Sequence, residues 1–288
     1  MRLVDVPGHP IVGVIADNPG PLTLGGTNSW IVGRDPAWLV DPGPAIGAHV
    51  RVVVSEIARR GGLGGIVLTH DHADHSGAVA AIRERFPDAP LAAARGEVDV
   101  QLRDGSRVGP FQVLATPGHS PDHLAYLAGA AALTGDAVLG EGSVFIAPDP
   151  GALAGYLRAL GRLRDRRPEV LLPGHGPIVS DPEAKLAEYV AHRLERERRL
   201  VTALEAGARS VDELLDAAWT EVPAPLRPVA AATLRAHLDK LASERRLPSG
   251  VEWPPAAGLS APRAGDARSG ALPRAPSHRR SPRAPGSL

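Results

Sequence analysis

The chain has 288 residues, enough for one large domain or for a domain with an appendage, and its 32 basic and 32 acidic side chains cancel. Overall charge therefore gives no reason to expect nucleic acid or a membrane as a partner. Cysteine is absent, which excludes disulfides, thiolate metal ligands and a cysteine nucleophile, and suits a cytoplasmic protein.

The first 21 residues carry Asp5, Asp17 and scattered prolines without an uninterrupted apolar stretch, so no signal peptide is expected. No segment reaches the apolar length of a membrane span. Short strands are expected at 11–16, 28–32 and 37–40, separated by Gly, Pro and Asn turns. Residues 46–60 carry a helical period that stops at Gly61-Gly62. An apolar strand at 66–68 follows. Ser76 is placed to cap a helix over 77–85, which Pro87 closes. Strands at 111–115, 123–127 and 131–133, a helix at 153–163 and a strand at 170–172 complete this part.

From residue 181 the character changes. A charged helix is expected over 182–205, with Glu195 and Arg199 four apart on one face. Ser210-Val211-Asp212-Glu213 has the form of a capping box, and 226–241 is amphipathic. A short hairpin-like end at 245–251 would make these helices a winged-helix-like module. Residues 254–288 hold six arginines against Asp266 alone, in Pro, Ala, Ser and Gly, so a disordered basic tail is expected. The domain plan is thus 1–180, 181–253 and 254–288.

The densest chemistry lies in Thr69-His70-Asp71-His72-Ala73-Asp74-His75-Ser76-Gly77, directly after the apolar run Ile66-Val67-Leu68. Polar groups so close to a core are costly unless something compensates them, and a metal centre does. Three further apolar runs also lead into metal-ligand residue types. Residues 111–115 reach His119 through Thr116-Pro117-Gly118, 131–133 reach Asp136, and 170–172 reach His175 through Pro173-Gly174. Ligands carried on Gly/Pro loops at strand ends gain precision from a rigid sheet.

Seven residues then form one two-metal site. His70, His72 and His119 hold one metal, Asp74, His75 and His175 hold the other, and Asp136 bridges them. Imidazole and carboxylate without thiolate favour zinc, two ions per chain, with manganese or iron also compatible. A hydroxide between the metals would be the nucleophile, its pKa drawn towards about 7. Asp74 beside it would be the catalytic proton carrier. Asp41, in Asp41-Pro42-Gly43, reads equally as an orienter of a ligand histidine or as a cap at a strand end. His123 reads as a support of the site or as a packed residue at a strand start. His9, His49, His192, His237 and His278 lack companions and read as ordinary residues.

These motifs, HxHxDH, then Pro-Gly-His, Gly-Asp and a second Pro-Gly-His, resemble the metallo-β-lactamase superfamily. The resemblance implies a mixed α/β fold, a four-layer αββα sandwich with metals at one edge of two packed sheets. Asn18-Pro19-Gly20-Pro21, Gly25-Gly26-Thr27-Asn28, Asp41-Pro42-Gly43, Gly140-Glu141-Gly142 and Asp181-Pro182-Glu183-Ala184-Lys185 are similar to the β-lactamase-like protein 2 branch. That branch implies a zinc-dependent endoribonuclease acting on single-stranded RNA, which makes RNA the leading substrate. Arg227, Arg235, Lys240, Arg245 and Arg246 would then reach phosphates, although acids are interspersed among them.

A glyoxalase II-like thioesterase acting on a small ester or thioester is the alternative, although Gly176-Pro177 after His175 departs from that family's usual context. Lactam hydrolysis fits less well, and a nucleic-acid-binding protein with a structural metal is the non-enzymatic reading. The sequence sets no oligomeric state.

Overall fold

A computed structural model describes residues 2–255. The expectation for the basic tail therefore lies, from residue 256 onward, outside the described residues.

The first sheet has seven strands in chain order: β1 (Arg2–Asp5), β2 (Ile11–Ile15), β3 (Asn28–Val32), β4 (Ala37–Val40), β5 (Leu63–Val67), β6 (Leu91–Ala93) and β7 (Val100–Gln101). Pairing is antiparallel from β1 to β4 and parallel from β4 to β7. The change of sense coincides with α1 (Gly47–Arg59), the crossover that a parallel neighbour requires. The second sheet takes the order β12 (Val170–Pro173), β11 (Ala131–Gly135), β10 (Leu124–Ala128), β9 (Phe111–Ala115) and β8 (Arg107–Val108). Only β11 and β12 pair in parallel there, and α4 (Ala152–Asp165) makes that crossover.

Alternation along the strands builds the layers. In β3, Trp30 and Val32 face the second sheet and join Phe111, Val113, Tyr126, Leu133 and Leu172 in the central core. Ile31, between them in sequence, faces the other way and meets Val53 and Ile57 of α1. On the far side Leu114 and Leu171 pack under Tyr156, Leu160 and Leu163 of α4. The result is the αββα sandwich expected.

Several sequence expectations change locally. The helix expected over 77–85 forms as α3 (Val79–Arg83), and a separate single turn, α2 (Ala73–Ser76), precedes it inside the histidine cluster. Ser76 does not cap it. Its hydroxyl donates back to the carbonyls of Asp71 and His72, which closes the turn holding the histidine cluster. Strands β1, β6, β7 and β8 have no counterpart among the expected elements, because they are two to four residues long and lie at or near sheet edges. Short edge strands carry little alternation.

The C-terminal part holds α5 (Pro182–Glu205), α6 (Val211–Ala218) and α7 (Arg227–Ser243). Asp181 caps α5 through the amide of Ala184, and Glu195 pairs with both Arg198 and Arg199. Ser210 and Glu213 form the expected capping box. Residues 244–255 are turns and irregular backbone, so the hairpin-like end expected at 245–251 does not form among the described residues. Leu186 and Tyr189 of α5 and Ala236 of α7 belong to the same apolar cluster as α4, whereas Leu200, Leu204, Leu214, Leu215, Leu234 and Leu238 make a separate one.

Candidate metal centre

The four strand-end loops meet at one edge where the two sheets approach each other. His70 to His75 follow β5. His119 lies between β9 and β10, Asp136 follows β11, and His175 follows β12. In β11 the register slips between Leu133 and Gly135. Such a bulge re-aims the chain that follows it, here towards Asp136. Gly174 must be glycine for a steric reason: a Cβ there would stand 2.4 Å from Asp136 Oδ1 and 2.6 Å from His75 Cε1. The β12 loop is bound to the first sheet by Asn28, whose amide side chain donates to the carbonyls of Pro173 and Gly176, and by the Trp30 indole, which donates to Pro173 O.

All seven side chains expected at the site come together. His70 Nε2 lies 2.9 Å from His72 Nδ1, which lies 3.0 Å from His119 Nε2. Asp74 Oδ2 is 3.2 Å from His175 Nε2 and 3.4 Å from His75 Nε2. Asp136 stands between these two groups. Its Oδ1 is 3.5 Å from His75 Nε2, and its Oδ2 is 3.4 Å from His175 Nε2 and 3.5 Å from His119 Nε2.

Hydrogen bonds on the outer side of the rings fix which nitrogen faces inward. Asp41 takes the Thr69 amide on Oδ1 at 2.7 Å, and the Thr69 hydroxyl donates to Oδ2, also at 2.7 Å. That hydroxyl, its proton engaged, accepts from His70 Nδ1 at 2.9 Å. His75 Nδ1 donates to Asp41 Oδ2 at 2.9 Å, His119 Nδ1 to Phe145 O at 3.3 Å, and His175 Nδ1 to Gly26 O at 3.3 Å. Four rings therefore commit Nδ1 to an outer hydrogen bond and turn Nε2 inward. Asp41 thus orients His75 directly and His70 through Thr69, which resolves the two readings of that residue.

The donor set fits metal ions. Nitrogens of His70, His72 and His119 face one another at hydrogen-bond distance with too few protons to share, and Asp136 Oδ1 is buried without a hydrogen-bond partner. A cation relieves both. His70, His72 and His119 form one group whose ligand atoms lie within 4.8 Å of one another, and Asp74, His75 and His175 form another. His70, His75 and Asp136 link them.

Residues 22–98 and 94–175 match the family model described as the metallo-beta-lactamase superfamily. The chain belongs to that superfamily. Among curated superfamily relatives, it is 32% identical over 259 residues to a protein of Aspergillus chevalieri named atrochrysone carboxyl ACP thioesterase, the match covering 82% of each chain. It is 28% identical over 266 residues to the beta-lactamase-like protein 2 homolog of Drosophila melanogaster, covering 82% of this chain and 89% of that one. A solved metallo-beta-lactamase family protein of Thermus thermophilus superposes with a TM-score of 0.67 at 24% identity, covering 82% of this chain and 94% of that one, which speaks for the fold.

The electrostatics of this superfamily site divide along the same two groups. Burial, reinforced by the neighbouring rings, holds His70 well below the ordinary histidine value, and it holds His119 at about 4. These rings stay neutral. Burial also acts against the charged form of His75, but Asp74, Asp136 and Asp41 outweigh it and raise the ring to about 9. His175 rises to about 11 against the same burial penalty, because Asp136 and Asp74 face it. Burial acts against both carboxylates as well, yet the facing histidines hold Asp74 and Asp136 low. In the second group protons thus occupy the place that a cation would take.

Three supporting residues had weak or no sequence signals. His123 accepts the Asp136 amide on Nε2 at 3.0 Å and donates from Nδ1 to Thr116 Oγ1 at 2.8 Å, so it fixes the backbone of the expected bridging residue. Thr27 donates to Asp74 Oδ2 at 3.0 Å. His49, read as ordinary, is fully buried in α1 with Nε2 3.0 Å from both Ser29 Oγ and Pro42 O. It packs under Gly43, whose φ of +88° and contact with the ring both require glycine. The Asp41 turn rests on it. A lone histidine on an amphipathic helix gives no sign of that role.

Proposed function

We propose that the chain is a two-metal hydrolase, with zinc as the resident metal, that cleaves an acyl thioester in the cytoplasm. His70, His72 and His119 would hold one ion, Asp74, His75 and His175 the other, with Asp136 shared. When bound, the ions supply Lewis acidity and concentrated positive charge at the reacting carbonyl. The chain's residues do the rest. Asp41, Thr69, Phe145 O and Gly26 O keep the imidazoles in the ligand tautomer. His123 and Gly174 keep the Asp136 carboxylate between the two groups. Asp74 is the outward carboxylate: its side chain is 27% exposed, against 9% for Asp136 and 0% for His75. It takes the proton that water loses and returns it to the departing sulfur. Water adds its oxygen to the acyl carbon, the carbon–sulfur bond breaks, and a carboxylic acid and a thiol leave.

The substrate class rests on where the basic side chains of the C-terminal helices point. Arg227 pairs with Asp212 and Asp216, Lys240 with Glu197 and Glu244, and Arg246 with Glu197 and Glu244. Arg235 donates to Pro254 O and lies over the Trp253 ring. Four of the five residues expected to meet RNA phosphates are thus engaged within the chain, which weakens the footprint a polyanion needs among the described residues. A neutral thioester needs none, and the thioesterase relative supports that class. Single-stranded RNA stays the second reading, on the similarity to the β-lactamase-like protein 2 relatives.

The deciding assay gives metal-analysed protein an acyl thioester, single-stranded RNA and a chromogenic lactam, each with a chelated control. Chelator-sensitive thioester cleavage that His75→Ala abolishes, with loss of one metal equivalent and an intact fold, is the expected outcome. Turnover of RNA alone would overturn the substrate class. Full activity of His75→Ala with normal metal content would overturn the site.

A further inference from the structure

The segment 144–151 joins the site to the C-terminal helices. Phe145 O accepts from His119 Nδ1, and the Phe145 ring meets the His119 ring edge-on at 5.8 Å. The same segment is tied to the His119 loop by Ala147 N, which donates to Gly118 O at 2.7 Å. On its other side three residues of the long C-terminal helices hold it. Thr233 Oγ1 accepts from Ile146 N at 3.2 Å in a fully buried bond, and Asp239 Oδ2 accepts from Gly151 N at 2.8 Å. Arg193, 2% exposed, donates to Val144 O and lies over the Tyr156 ring. Val144 and Ile146 are themselves buried beside Ala236 of α7.

This inference rests on His119 being a metal ligand. A ligand histidine is oriented by the acceptor of its outer N–H. Here the acceptor is a main-chain carbonyl on a segment with no regular secondary structure of its own. Its place is set on one side by the Ala147 N to Gly118 O bond and on the other by the bonds to Val144 O and Ile146 N, which come from α5 and α7. We infer that Thr233, Arg193 and Asp239 are positioning residues for the metal site, acting on His119 through the Phe145 carbonyl. The C-terminal helices therefore build the site as well as flanking it.

Thr233→Val removes the acceptor at constant shape, and Thr233→Ser keeps it. Asp239→Ala releases the exposed end of the segment, where folding is not at risk. Zinc affinity is read by chelator competition for each of the two equivalents, beside kcat and KM on the thioester. The direct partner of a ligand histidine is worth ~10- to 100-fold in affinity, so a tether one bond further out should be worth roughly 3- to 10-fold. Thr233→Val and Asp239→Ala should weaken one equivalent by that factor and leave the other unchanged. They should also lower kcat more than they raise KM, and Thr233→Ser should restore both.

Unaltered affinity in Thr233→Val and Asp239→Ala, beside tight binding of two equivalents by the parent, would overturn the tether alone. Equal losses in Thr233→Val and Thr233→Ser would overturn it too, since helix packing would then be the cause. A parent protein that bound no zinc would overturn the ligand reading and this inference with it.

Discussion

Asp41 Oδ2 accepts the Nδ1 proton of His75 at 2.9 Å, across 34 residues of sequence. The same carboxylate takes the amide and the hydroxyl of Thr69, so one buried side chain fixes two rings of the cluster. Asp41→Asn keeps the shape but removes the charge and presents an amide N–H where two donors already point. The expected outcome is ~10- to 100-fold weaker binding of a metal at the group that contains His75. Chelator competition measures this directly, and affinity equal to the parent's would sink the role assigned to Asp41.

The stability of metal-free protein should peak near neutral pH. His75 and His175 are raised above the ordinary value of 6.5, so their contribution is fully present below about pH 6.5 and disappears as pH climbs through about 9 and 11. His119, held at about 4 by burial, works in the opposite direction. The unfolded chain binds its proton below 6.5 while the folded chain does not, so stability falls from there towards pH 4. Thermal unfolding across this range, with and without chelator, should show a chelated optimum near pH 6.5 and a flatter alkaline limb for loaded protein. A chelated midpoint that still rises at pH 9 would contradict these assignments.

Ending the chain at residue 180 should destroy the catalytic part instead of trimming a substrate module. Leu186, Tyr189 and Ala236 fill the cluster above α4, and the Tyr189 hydroxyl accepts from Leu139 N at 3.0 Å. The truncated chain should lack a cooperative unfolding transition and lose turnover on every substrate alike. A soluble, metal-binding fragment 1–180 would show that the domain plan read from sequence has physical standing.

Ser210→Ala tests the outer helices alone. Its hydroxyl accepts from the Glu213 amide while the Glu213 carboxylate returns to Ser210 N. Losing that cap should cost ~1 kcal/mol and lower the unfolding midpoint by roughly 2–4 °C. Activity and metal content should stay at parent levels. A loss of metal would mean that strain at α6 reaches the site.

The seven candidate residues were legible because each follows an apolar run through a short polar or Gly/Pro loop, a pattern local enough to read along the chain. His70, His72, Asp74, His75, His119, Asp136 and His175 all fall at one place. What supports them was less legible. The bond from Ile146 N to Thr233 spans 87 residues and leaves no periodic trace. His49 sits on an amphipathic helix and looks like any other residue there. The helix expected over 77–85 forms only at Val79–Arg83, because Ser76 bonds backward and closes the turn after His72 instead of capping it. The hairpin expected after α7 rested on turn residues at 245–251, and nothing among the described residues supplies it with a partner strand.

Asn28 and Trp30 bind the β12 loop from the opposite sheet, so the residues around the site come from two halves of the chain that the folded structure brings together. An ion held by His75 and His175 would be gripped from both halves, 100 residues apart in sequence. Neither half alone presents the full set. Such an ion binds the finished fold and hardly the open chain, and it shifts the folding balance by mass action. The centre would then serve as a clasp, and the supply of metal during synthesis would help decide how much of the protein survives to act.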